Sequence, residues 1–170
     1  FSAMSKLYVA FDSGQLLASA DGGTSWTQTS LPSQDVSALA IDPVSSATIY
    51  VGTSSGSFYR SADAGAHWTP VASGLPRVNS VTVAASSPPT VLVGGDTGIY
   101  RGSDGAGSLA RVHLGTRTLP VNAMAFDPVT PSTIYVGSLG NVVKTADGGA
   151  TWVDSGVGLS GRNVSTLVID

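Results

Sequence analysis

Apolar positions in this chain gather into short runs of about five or six residues, bounded by Gly, Pro, Ser and Asp. Thr48-Ile49-Tyr50-Val51-Gly52 recurs as Thr133-Ile134-Tyr135-Val136-Gly137, with Lys6-Leu7-Tyr8-Val9-Ala10 and Thr90-Val91-Leu92-Val93-Gly94 as cousins. Val36-Ser37-Ala38-Leu39-Ala40-Ile41-Asp42-Pro43 matches Val121-Asn122-Ala123-Met124-Ala125-Phe126-Asp127-Pro128. Such β-branched and aromatic runs between turn residues predict strands. No segment sustains the 3.6-residue apolar spacing that a helix needs.

A polar signature punctuates these strands. Ser19-Ala20-Asp21-Gly22-Gly23-Thr24-Ser25-Trp26 returns as Ser61-Ala62-Asp63-Ala64-Gly65-Ala66-His67-Trp68 and as Thr145-Ala146-Asp147-Gly148-Gly149-Ala150-Thr151-Trp152. A worn copy around Asp104 has Gly102 for Ser, Ala106 for Gly and Leu109 for Trp. With aspartates at 21, 63, 104 and 147, the interval is 41 to 43 residues. Each period holds four strands: A (36–42), B (48–53), C (57–61) and D (67–71), with equivalents elsewhere. Four short antiparallel strands per period predict an all-β propeller. Its blades cover about 6–30, 36–72, 78–115 and 121–155 of one domain spanning 6–170. Residues 1–5 fit no repeat and read as a tag remnant.

The first blade lacks an A strand, and 163–169 supplies a spare one. Two outcomes follow. The spare strand pairs with the first blade and closes a four-bladed ring, or the four blades are half of a larger ring, completed as a homodimer. The first keeps a monomer and removes exposed sheet edges.

The signature itself has a structural explanation. An Asp at a turn accepts hydrogen bonds from nearby backbone N–H groups, so Asp21, Asp63, Asp104 and Asp147 read as hairpin cement. Gly23, Gly65 and Gly149 permit positive φ where the hairpin reverses. Trp26, Trp68 and Trp152 cover the turn, and Ser19, Ser61 and Thr145 brace it through a hydroxyl. The motif with its Ile-Asp-Pro and Ile-Tyr-Val-Gly flanks resembles the BNR/Asp-box repeats of bacterial propellers. Relatives include sialidases, xyloglucanase-type glycoside hydrolases, sortilin-like receptors and photosystem II assembly factors. The resemblance covers about residues 6–170 and implies a propeller, in a secreted or periplasmic setting. It does not select an activity, because one fold hosts many.

Composition narrows the functional choices. Eight Lys plus Arg and a net charge of −3 argue against a nucleic-acid partner. No run of about 18 apolar residues can cross a membrane as a helix. Cysteine is absent, which removes disulfides, thiolate metal sites and thiol nucleophiles. Sialidase chemistry would need an arginine triad and a Tyr–Glu pair, yet the chain contains no glutamate, and Arg60 and Arg101 are repeat residues. His67 and His113 have no ligand or triad partners at useful spacing, so neither a metal nor a cofactor is expected.

One weak carboxylate pair is left: Asp12 and Asp96, in the B–C loops of the first and third blades. Across a funnel they could serve glycoside hydrolysis at a separation of about 5–10 Å. Turn-forming Asp beside Gly explains them more simply. The expectation is a non-catalytic scaffold or binding module, with a glycan or polypeptide held on the loops opposite the boxes. A glycoside hydrolase, or a fragment excised from a larger ring, is the alternative.

Overall fold

The computed structural model describes residues 6–11, 13–103, 108–114 and 119–170, and its regular structure is β throughout. Four antiparallel sheets follow one another along the chain. The first holds β1 (Leu7–Ala10), β2 (Leu16–Ser19) and β3 (Thr27–Gln28). The second holds β4 (Val36–Ile41), β5 (Ile49–Thr53), β6 (Phe58–Ser61) and β7 (Thr69–Ala72). The third holds β8 (Val78–Val83), β9 (Thr90–Gly95), β10 (Gly98–Ser103) and β11 (Ala110–Val112). The fourth holds β12 (Ala123–Phe126), β13 (Ile134–Ser138), β14 (Asn141–Thr145) and β15 (Val153–Asp154).

Each sheet is a simple meander, and the first strands of successive sheets lie side by side, β4 against β8 and β8 against β12. The second strands are the most buried. All of β5 is buried, as is nearly all of β9, because apolar side chains on both faces meet neighbouring sheets. Three clusters fill the spaces: Leu16, Ile49 and Val51; Tyr50, Phe58, Val78, Val91 and Val93; and Leu92, Ile99, Val121, Met124, Ile134 and Val136 among others. Each cluster joins residues of two sheets. Apolar burial across blade faces is therefore what holds the array together.

Close approach between neighbours depends on a glycine in the second strand of each four-stranded sheet. A Cβ on Gly52 would sit 2.2 Å from Val78 Cγ1, one on Gly94 2.5 Å from Val121 Cγ1, and one on Gly137 2.5 Å from Val164 Cγ1. In the first sheet the equivalent residue is Ala10.

Of the two outcomes open from the sequence, closure of the ring by the C-terminal strand is not made among the described residues. Among the described residues the first sheet has three strands, and β1 pairs with β2 alone. The segment from Asn163 instead stays beside the fourth sheet: Asn163 bridges Leu139, and the Val164 N–H donates to the Ser138 carbonyl at 3.2 Å. Beyond it Val168 is 91% exposed.

Candidate functional site

The three described box hairpins share one geometry. In the first, the Ser19 hydroxyl donates to Asp21 Oδ1 at 2.8 Å and accepts from the Gly23 N–H at 2.8 Å. Asp21 also accepts from the Ser25 N–H at 2.9 Å and from the Ser25 hydroxyl at 2.6 Å. Ser61, Asp63 and Gly65 repeat this pattern, as do Thr145, Asp147, Gly149 and Thr151. In the second box His67 replaces the hydroxyl residue, and its Nδ1 lies 2.6 Å from Asp63 Oδ2. Nδ1 is then the protonated ring nitrogen, donating where Ser25 and Thr151 donate. Gly23, Gly65 and Gly149 have φ of 94°, 88° and 100°.

These hydrogen bonds stabilise the charged carboxylates. The Ser25 hydroxyl, its N–H and then Ser19 hold Asp21 down at about 2. Asp63 is likewise lowered to about 2, chiefly by the N–H of His67 and then its ring. The Thr145 hydroxyl, followed by Thr151, holds Asp147 far below the usual carboxylate range. A carboxylate so engaged is a poor proton carrier at neutral pH. Among the described residues no group of three or more His, Cys, Asp or Glu side chains could hold a metal ion. Asp104 lies outside the described residues.

The boxes also lean on the preceding sheet. Tyr8 donates its hydroxyl to the Ala64 carbonyl at 3.1 Å, and Arg101 Nη1 donates to the Gly148 carbonyl at 2.7 Å. Trp68 packs on the Leu16–Ile49–Val51 cluster and Trp152 on the cluster around Leu92 and Ile99. Trp68 and Trp152 each donate their indole N–H back to their own box, to Gly65 and Gly149. Among the described residues no sheet lies against the first box, and Trp26 is 40% exposed.

The opposite face, made of B–C and D–A loops, carries a different chemistry. The Asn79 amide donates to Asp96 Oδ1 at 2.8 Å, the Asn122 amide to Asn163 Oδ1 at 2.8 Å, and the Asn141 amide to Asp154 Oδ2 at 3.2 Å. Asp96, a predicted catalytic candidate, is thus engaged by an amide from β8. Its suggested partner Asp12 lies outside the described residues. The amide pairs escaped notice in the sequence because Asn79 lies on β8 and Asp96 in the later turn between β9 and β10; Asn at the second A-strand position in two repeats was the available signal. A cavity of about 670 Å³ opens nearby, lined by Phe11 and Gly14 on the first sheet, Asp35 and Val36–Leu39 on the second, and Arg77.

Four meandering antiparallel sheets, with β4, β8 and β12 side by side, define this protein as a β-propeller domain. The DUF6242 beta propeller domain family matches residues 2–112, and the chain belongs to that family. No curated protein matches it. Among solved structures, the Niastella koreensis GH74 enzyme aligns with a TM-score of 0.75 and 19% identity, covering 88% of this chain and 27% of that one. The GH74 xyloglucanase from Xanthomonas campestris gives 0.68 and 21%, covering 88% and 28%. YCF48 bound to D1 peptide gives 0.50 and 16%, covering 87% and 63%. The resemblance read from the repeats extends to these xyloglucanase and photosystem assembly propellers. At such identities the likeness is one of fold, and this chain spans little more than a quarter of either GH74 protein.

Proposed function

We propose that this propeller is a non-catalytic module binding a neutral glycan on the loop face away from the box hairpins. One observation carries the reading: exposed amide pairs, Asn79 with Asp96 and Asn122 with Asn163, lie on adjacent sheets at one end of the blades. Amides and carboxylates together offer both donors and acceptors, which is what sugar hydroxyls require. The fold likeness to GH74 proteins, one of them a xyloglucanase, supports xyloglucan as the first probe.

The test is native gel electrophoresis through soluble xyloglucan, with release of reducing sugar measured on the same samples. Retardation without hydrolysis is expected, and Asn79→Ala combined with Asn122→Ala should abolish the retardation. Unretarded migration in xyloglucan and in other neutral polysaccharides would overturn the reading. Hydrolysis abolished by Asp96→Asn would replace it with the glycoside hydrolase alternative.

A further inference from the structure

We propose, building on the glycan reading, that a cavity on the loop face of the fourth sheet seats a 6-deoxyhexose. Such a sugar carries a methyl group where common hexoses carry a hydroxymethyl.

The cavity, of about 580 Å³, is bounded by the turn from β13 to β14, by the chain leaving β15 and by Leu119 from the loop before β12. This volume is that of a small-molecule site. One side of the lining is aliphatic. Leu139 is 62% exposed, Val157 is 98% exposed and Leu119 is half-buried. Branched apolar side chains held together beside a cavity favour a ligand that removes them from water.

The other side is polar and firmly built. The Asn141 amide that donates to Asp154 Oδ2 belongs to this cavity, and Asp154 Oδ1 accepts from the Gly156 N–H at 3.0 Å. Gly156 is buried, and a Cβ there would fall 2.1 Å from Asn141 Oδ1 and 2.7 Å from the Val142 nitrogen. The loop therefore packs directly on the carboxamide and holds it in place. A carboxamide has two N–H groups and an acceptor oxygen, so one bond to Asp154 leaves Asn141 able to donate to a ligand hydroxyl. Ser160 adds a hydroxyl that both donates and accepts.

The lining selects the chemistry of the sugar. It contains a carboxylate and neither Lys nor Arg, so a uronate or a sulfated sugar would meet repulsion without a partner. It contains no aromatic ring on which a pyranose could stack. Leu139 and Val157 instead match a group of their own size and kind, a methyl. A 6-deoxyhexose meets both sides at once, with hydroxyls for Asn141 and Ser160 and its C6 methyl for the aliphatic side chains. An ordinary hexose would set its 6-hydroxyl against those side chains, where a polar group without a hydrogen bond is costly.

Saturation-transfer NMR on the whole chain tests this with free sugars in matched pairs: L-fucose and L-galactose, L-rhamnose and L-mannose, D-fucose and D-galactose. At least one deoxy sugar should bind, with the strongest saturation on its methyl protons and an affinity about tenfold above that of its 6-hydroxy partner. Leu139→Asn combined with Val157→Asn should erase that preference, and Asn141→Ala should weaken both members of the pair. Leu139 and Val157 are exposed, so their exchange tests the site even where Asn141→Ala fails to fold. Asn79→Ala combined with Asn122→Ala should leave free-sugar binding unchanged. Retardation in xyloglucan without deoxy-sugar binding would therefore remove this site and leave the glycan reading standing. Absence of binding by all three deoxy sugars, equal affinities within every pair, or an unchanged preference in the Leu139/Val157 variant would each overturn the proposal.

Discussion

Val78 occupies the space that a side chain on Gly52 would need. The missing Cβ would lie 2.2 Å from Val78 Cγ1, so the second and third sheets approach as closely as they do because residue 52 has none. Val78 is itself buried and the sheets interlock around it. Gly52→Ala should therefore destabilise the fold by about 1–3 kcal/mol through overpacking. Urea unfolding of Gly52→Ala, Val78→Ala and the double variant checks this. The double variant should lose less than the sum of the two, because removing the valine methyls makes room for the new one.

The tryptophans of the first two boxes are chemically identical and differently supported. Trp68 packs on Leu16, Ile49 and Val51, whereas Trp26 stands 40% exposed. Trp68→Ala should cost about 3 kcal/mol in denaturant unfolding, near the low end for an aromatic truncation because the ring is only half-buried. Trp26→Ala should cost clearly less in the isolated chain. Equal losses would contradict the neighbouring sheet as the source of the difference.

Acid should loosen the hairpins late. Asp21 and Asp63 have pKa values near 2 in the folded chain, below the value of about 4 that an unfolded aspartate shows. A depressed folded value means that the contribution is complete above about pH 4 and is lost as pH falls toward 2. The urea midpoint should therefore fall across that interval, and Asp21→Asn with Asp63→Asn should flatten the dependence. A midpoint independent of pH between 4 and 2 in the parent chain would show that the carboxylates are not stabilised by these hydrogen bonds.

Much of this was legible in the residues because its determinants are local. The hairpin from Ser61 to Trp68 spans eight residues, and its Asp, Gly and hydroxyl roles follow from turn chemistry alone. What was not legible joins residues distant in sequence. Gly52 falls inside a predicted strand, and only the contact with Val78 shows why it carries no side chain. The pairing of Asn79 with Asp96 links a strand to a later loop, and the bond from His67 to Asp63 was hidden by a change of residue type. The segment at 163–169 carries an inner-strand pattern, but pattern does not specify a partner: it makes one isolated bridge, Asn163 with Leu139, and of the two outcomes open from the sequence the pairing with β1 is not made.

The backward lean of the boxes gives the array a direction. Tyr8 supports the hairpin at Ala64, and Arg101 supports the one at Gly148, so in these joints a sheet props up the one that follows it. Local unfolding at the front would strip its successor of a prop, whereas fraying at the rear would leave the earlier hairpins standing. Like books tilted along a shelf, these repeats are most vulnerable on the side from which each is propped.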